Sequence, residues 1–300
     1  MLRLLRFRDL EYFIAVSEQR SFARAAKVVG ISQPTLSNQI KRLEDVFGQK
    51  LLERSGKDVM PTPEGLRALN HMKSVMHAFG ELNAARDGAD TLDGKSVRIG
   101  LIPSIAPYLS GKLLHGLNAT RAQMRTELVE ALTADLETQL VSSEIDLAIT
   151  ATLPQSPSLQ AVEIGLEKMV YLSSETCPEN PLSGASERPI LLLQEGHCFR
   201  DLVHASIKRL NNSADARFDR TIGSASLLTL TSLARQGIGD TVVPAHFVDT
   251  FPELVSGLHR RLLEPTTFSR HIFAVSRKVR TANRDIAELR RIARDAHQSR

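Results

Sequence analysis

Apolar positions in the first ninety residues keep a helical period. In "SQPTLSNQIKRLEDVFG", Leu36, Ile40, Leu43 and Phe47 stand at i, i+4, i+7 and i+11, which is one stripe on one helix face. Ser32 is placed to cap this helix, Pro34 falls in its first turn, where a missing N–H costs nothing, and Gly48 stops it. Two shorter helices precede it. Leu10, Phe13, Ile14 and Ser17 share a face of the first. The second, "SFARAAKVV", has Ser21 as its cap and Gly30 as its end, and Ala25-Ala26 lets a neighbour approach closely. Two helices joined by a tight glycine turn predict a helix-turn-helix.

After Gly48 the pattern changes to short extended runs. Leu51-Leu52 and Val59-Met60 flank the turn "RSGKD", which predicts a hairpin wing with Arg54 at its tip, where a minor groove favours arginine. Thr62, Pro63 and Glu64 then supply a cap, a first-turn proline and a first-turn acid for another helix. Its apolar residues Leu66, Leu69, Met72, Met76, Phe79 and Leu82 form a narrow seam, which predicts pairing with a second copy of the chain.

"DTLDGKS" (90–96) is a polar hinge, and strand-like and helical runs alternate beyond it. "VRIGLIP", "RTELVEA", "IDLAIT", "MVYLSS", "PILLL", "DTVVP" and "HIFAVS" predict strands. "APYLSGKLLHGLNAT", "ADLETQLVSS", the segment after Cys198, "SLLTLTSLARQG" and "ANRDIAELRRIARDA" predict helices. This alternation predicts a mainly parallel α/β body of two lobes, with ligands held between them at the carboxyl ends of strands.

Charge sharpens the division. The net charge is +4, and residues 1–60 hold 11 Lys+Arg against 7 Asp+Glu, so that the first fifth of the chain carries all of the excess. A basic module on a neutral body is the footprint of nucleic-acid binding. The polar face of the third helix fits that purpose. Gln33, Ser37 and Asn38 offer amides and a hydroxyl to base edges, and Lys41 and Arg42 offer cations to phosphates.

Other classes lose ground. GxGxxG, P-loop, HExxH and GxSxG motifs are absent, and nine histidines and two cysteines show no metal-ligand spacing, so neither enzyme chemistry nor a metal or cofactor is expected. No run approaches the roughly 18 apolar residues of a membrane span. With two cysteines, no disulfide framework and no clean signal peptide, a cytoplasmic location is expected.

Residues 9–54, "DLEYFIAVSEQRSFARAAKVVGISQPTLSNQIKRLEDVFGQKLLER", resemble the LysR-type transcriptional regulators. The resemblance covers Ala25-Ala26, Ser32-Gln33-Pro34, Ser37, Gln39-Ile40, Leu43-Glu44, Gly48 and Leu52-Glu53-Arg54 in order. It implies an α/β protein with an N-terminal winged helix-turn-helix (1–61), a dimerising linker helix and hinge (62–94), and a two-lobed, periplasmic-binding-protein-like effector domain (95–300). Lobe one would take about 95–165 and 268–300, and lobe two 166–267. Promoter DNA, RNA polymerase, a small effector and further copies of the chain, as dimer or tetramer, are the implied partners. By position, Gln33, Pro34, Ser37 and Asn38 would face bases, with Ser32, Thr35, Gln39 and Arg54 at or near the backbone and minor groove.

Within that family, "GLIPSIAPYLS", "EALTADL" and "LLLQEGHCFRD" look most like the OxyR-type hydrogen-peroxide sensors. The resemblance implies a peroxide-reactive cysteine at Cys198, in a pocket shaped by Ser104, Thr133, His197 and Arg270. The chain departs from the pattern nine residues on, where Ile207 replaces the resolving cysteine. Cys177, the second thiol, lies in "SSETCPENP" and does not align with that position. Three readings of Cys198 follow: a sensor that stays sulfenic or is capped by a small thiol, a partner of Cys177 after rearrangement, or an inert thiol beside a co-inducer site. A cysteine peroxidase-like enzyme and a stand-alone solute-binding module are the rivals from other classes. The first has no evident recycling thiol and leaves the basic module unexplained, and the second is weakened by the missing signal peptide.

Overall fold

A computed structural model describes residues 5–55, 58–86, 96–120, 125–179, 181–182, 188–211, 222–224, 226–278 and 284–299. The hinge predicted over 90–96 and the tip of the predicted wing turn lie almost wholly outside these residues. The chain divides into two compact units, one holding Met1–Asp90 and Val141–Glu144 and the other Thr91–Leu140 and Ile145–Arg300.

The first unit contains α1 (Phe7–Gln19), α2 (Phe22–Val28), α3 (Gln33–Phe47), the hairpin β1 (Leu52–Ser55) and β2 (Asp58–Pro61), and α4 (Pro63–Arg86). Local chemistry sets the boundaries. The Ser21 hydroxyl accepts from the Arg24 N–H, and the Ser32 hydroxyl accepts from the Thr35 N–H. Gly30 and Gly48 turn the chain at φ +71° and +68°, a region that penalises a side chain. The stripe on α3 goes inward, with Leu36, Ile40 and Leu43 buried against Phe13, Val16 and Ala25. Each such aliphatic side chain contributes roughly 1.5–3 kcal/mol by leaving water.

The seam on α4 is divided. Met72 is buried in the core of this unit, and Leu69 and Met76 pack against that core. The Phe79 ring lies 4.4 Å from that of Phe7. Leu66, Val75 and Phe79 still expose 52%, 46% and 38% of their surface. The predicted single seam therefore serves this unit's own core along one edge and leaves apolar side chains facing outward elsewhere. Nothing is described of the Leu82 side chain.

Glu44, which the sequence reading left without a role, joins α3 to the β1–β2 hairpin. Its buried carboxylate accepts from the backbone N–H groups of Leu51 and Leu52, at 3.0 and 3.2 Å, and pairs with Lys50. A further backbone bond from the Val59 N–H to the Arg20 carbonyl holds the wing to α1.

The second unit runs β3 (Ser96–Leu101), α5 (Ala106–Thr120), β4 (Arg125–Glu130), α6 (Thr133–Val141), β5 (Leu147–Thr150), β6 (Leu159–Ser173), β7 (Ile190–Leu193), α7 (Cys198–Asn211), β8 (Ile222–Ser224), α8 (Leu227–Arg235), β9 (Asp240–Pro244), α9 (Ala245–Thr250), β10 (His259–Leu262), β11 (Ser269–Arg277) and α10 (Arg284–Gln298). Strand order is β4-β3-β5-β11-β6-β9-β7-β8, with β10 also on β6. The expectation of a mainly parallel sheet is corrected to a mixed one. β3 is parallel to β4 and β5, and β7 to β8 and β9, but β11 and β6 run antiparallel to their neighbours. The reason is connectivity. β11 runs against β5 of one parallel half, and β6 pairs with β11 along Leu159–Lys168 and then with β9 and β10 along Met169–Ser173, so that these two strands carry the chain between the halves. The sequence reading caught only the end of this fifteen-residue strand and missed β8, α9 and β10.

Replacing Glu44 with Ala removes the acceptor for two buried N–H groups, and the expected loss is about 2–3 kcal/mol in urea unfolding of the first unit. Lys50→Ala, which removes just the exposed partner, should leave the transition in place. Equal loss in both variants would show that the ion pair, and not the backbone bonds, holds the wing.

Candidate functional site

The polar face of α3 is open. Ser32, Gln33, Pro34, Thr35, Ser37, Asn38 and Lys41 are exposed and Gln39 is half-buried. Ser32 and Thr35 are partly occupied with each other, their hydroxyls 2.7 Å apart. Arg42, read as a free cation from the sequence, leans back toward the buried Asp9 at 3.8 Å. Asp9 also accepts from the Arg6 N–H. Arg54 lies in β1 opposite Val59, and its side chain is outside what is described.

In the second unit, three turns meet. The turn after β3 brings Ile102, Pro103 and Ser104, the turn after β4 brings Leu132 and Thr133, and the turn after β7 brings Gly196, His197 and Cys198. Together they line a narrow hollow at the carboxyl ends of parallel strands, the place where open α/β sheets hold ligands. Gly196 makes the last turn possible. It has φ +92°, and a Cβ there would meet Leu132 at 3.2 Å.

Cys198 is the first residue of α7. Its backbone position lies at the positive end of the helix dipole. His197 is buried, and burial lowers its pKa, so its ring is neutral at pH 7. The Thr133 hydroxyl is buried and has no hydrogen-bond partner among the described residues. Thr133 itself is one of the residues that line the hollow.

Behind this hollow lies Arg270. Register places it opposite Glu167 on β6, and its Nε donates to the Glu167 carboxylate at 2.8 Å. Its other nitrogens donate to the Ser104 hydroxyl (2.8 Å), the Ser104 carbonyl (3.2 Å) and the Tyr108 hydroxyl (3.3 Å). The Phe199 ring lies 4.9 Å from its guanidinium carbon. Burial disfavours the charge, but Glu167 first, then Tyr108 and Cys198, hold the Arg270 pKa above its ordinary value. Burial would raise the Glu167 carboxyl, and Arg270, with His246 and Tyr108, holds it below the usual range instead. Arg270 therefore reaches the hollow through Ser104, whose hydroxyl accepts from it.

The sequence reading missed Glu167, Tyr108 and His246, which complete this network. Register pairing of β6 with β11 was the signal for Glu167, and it was hidden because the first half of β6 was not recognised. Ile207, at the place of the absent second thiol, is fully buried on α7. Cys177 is half-buried beyond β6, and burial pushes its thiol up, with Arg261 lowering and Asp240 raising it further.

Known proteins align with this arrangement. The model for the bacterial regulatory helix-turn-helix protein, lysR family, matches residues 7–66, and that for the LysR substrate binding domain matches residues 91–298. A protein of Escherichia coli (strain K12), the DNA-binding transcriptional dual regulator OxyR, is 34% identical over 247 residues, covering 80% of this chain and 79% of its own. A hydrogen peroxide-inducible genes activator of Haemophilus influenzae is 33% identical over 245 residues, covering 80% of each. Among solved structures, a full-length cysteine-to-aspartate variant of OxyR from Pseudomonas aeruginosa superimposes with a TM-score of 0.77 at 25% identity, over 96% of this chain and 97% of that one. A cysteine-to-serine variant of OxyR from Corynebacterium glutamicum, with hydrogen peroxide bound, gives a TM-score of 0.61 at 26% identity, over 98% and 92%.

A raised pKa leaves less thiolate at neutral pH, so Cys177 should alkylate slowly. In a Cys198→Ser chain, iodoacetamide labelling at pH 7 should run slower than for a free cysteine, and its pH profile should be displaced to the alkaline side. Labelling at the rate of a free thiol would mean that Cys177 is not shielded.

Proposed function

The chain belongs to the LysR family of bacterial transcription regulators, and from that premise we propose that it answers hydrogen peroxide through Cys198. The observation that carries this reading is the placement of Cys198 at the N-terminus of α7, in a hollow that is also lined by Thr133, whose hydroxyl has no partner among the described residues, and is backed by the buried Arg270.

The chemistry follows from that placement. The Cys198 thiolate attacks one oxygen of the peroxide, the O–O bond breaks, and the second oxygen leaves as hydroxide and is protonated to water. Cysteine sulfenic acid is the product. Thr133 is free to donate to the peroxide, and Ser104, whose oxygen accepts from Arg270, has its own proton to give. Donors aimed at the departing oxygen stabilise the charge that develops on it. The relatives named as peroxide-inducible activators support the same reading.

Resolution differs from the two-thiol scheme. Ile207 offers no thiol, so the sulfenic acid persists or condenses with a small thiol, and Cys177 is the alternative partner. The buried Ile207 also keeps a second reading in view, in which the hollow holds a small co-inducer and Cys198 is not oxidised.

On the DNA side, Gln33, Pro34, Ser37 and Asn38 enter a major groove, with Ser32, Thr35, Gln39 and Arg54 at the backbone and minor groove. The outward apolar residues Leu66, Val75 and Phe79 on α4 pair with a second copy. Dimers of dimers, contact with RNA polymerase and a cytoplasmic location belong to this reading. Among the described residues no helix is long and apolar enough to cross a membrane.

Low peroxide applied to the wild-type chain should yield a trappable sulfenic acid at Cys198 and a changed footprint on promoter DNA. Cys198→Ser should bind the same DNA with a footprint that peroxide does not alter. If Cys198 stays reduced and the wild-type footprint does not move, the co-inducer reading replaces this one.

A further inference from the structure

A second cluster lies on the far side of Arg270. Glu167 of β6, His246 near the start of α9 and His297 near the end of α10 bring one carboxylate oxygen and two ring nitrogens within 4.8 Å of one another. The Glu167 oxygen Oε1 is 2.9 Å from His246 Nδ1, and the two imidazole centroids are 4.6 Å apart.

His297 is the unexplained member. It is 3% exposed, and neither of its ring nitrogens has a hydrogen-bond partner among the described residues. Leaving a buried polar group unmade costs roughly 1–3 kcal/mol, so such a ring calls for a ligand. The sequence makes room for it. Gly165, in the interior of β6, faces the ring, and a Cβ there would collide with His297 Nδ1. A glycine inside a strand weakens the strand, and close approach of another group is one reason to keep it.

We propose that Glu167, His246 and His297 bind a divalent first-row transition-metal ion of the zinc, cobalt or iron(II) class. Two imidazoles and a carboxylate are the donor set such ions take, and three protein ligands leave a fourth position open. Burial, followed by His246, lowers the pKa of His297 to about 4, which keeps its ring neutral and able to coordinate at pH 7. Metal–nitrogen bonds are about 2.0–2.1 Å, so the three donors must draw together from their present spacing. Arg270 already offsets the charge of Glu167, and Lys112 adds to the positive field at His297, so the fourth position suits hydroxide or a small anion.

The site stands on geometry independent of Cys198. Metal-stripped full-length protein titrated with Co2+ should bind it stoichiometrically and develop visible ligand-field absorption. Zn2+ should displace it. His297→Gln and His246→Gln should each weaken binding by roughly 10–100-fold or more. Cys198→Ser should bind as wild type does, which separates this site from a thiol site. Far-UV circular dichroism checks the fold of each variant, and the partly exposed His246 carries the test if His297→Gln does not fold. A wild-type chain that takes up neither ion would mean that water satisfies His297, and it would overturn the proposal. So would binding that survives both histidine substitutions, or binding lost in Cys198→Ser.

Discussion

The buried pair of Arg270 and Glu167 is the constraint around which the effector unit is arranged. Two charges out of water are tolerated where each is paired and its remaining hydrogen-bonding capacity is met. Glu167 gives one oxygen to Arg270 and the other to His246, and Arg270 spends its other donors on Ser104 and Tyr108. Removal of either partner strands a charge in the interior, at a cost of about 3–5 kcal/mol. The pair also sits on β6 and β11, the strands that carry the chain from one half of the sheet to the other. Its position fixes those strands in register and, through Ser104, fixes the turn after β3 beside Cys198.

This arrangement gives one cation two neighbours. On one side the guanidinium reaches the hollow that holds Cys198, and on the other its carboxylate partner meets His246 and, beyond it, His297. A change in how Glu167 is shared would be felt by Arg270 and so by Ser104. The same low-dielectric surroundings that make an unpaired group expensive strengthen each contact along this path.

The DNA-reading unit was largely legible in the sequence, because its determinants are local. Ser21, Ser32 and Thr62 cap helices within three residues of themselves, Gly30 and Gly48 end them, and the stripe of Leu36, Ile40 and Leu43 declares its own buried face. The partition of the α4 seam was not legible, because periodicity records that a side chain is apolar and not which surface it meets. Glu44 was passed over because its partners, Leu51 and Leu52, offer backbone groups that leave no trace in side-chain pattern.

In the effector unit the residues around the hollow were named through resemblance, since Ser104, Thr133 and Cys198 come from three separate turns. Parts of both crossing strands were marked by "MVYLSS" and "HIFAVS", but their antiparallel pairing and the cluster of Glu167, His246 and His297 were not visible. Those three lie 79 and 51 residues apart, and chain spacing carries no hint of a contact made by tertiary folding. The central claim, that the hollow makes Cys198 a peroxide-reactive thiol, has an internal control in Cys177 of the same chain. Oxidation of the two cysteines by limiting hydrogen peroxide, followed residue by residue with mass spectrometry, tests it most directly. The account predicts that Cys198 is oxidised well ahead of Cys177, and equal, slow oxidation of both would contradict it.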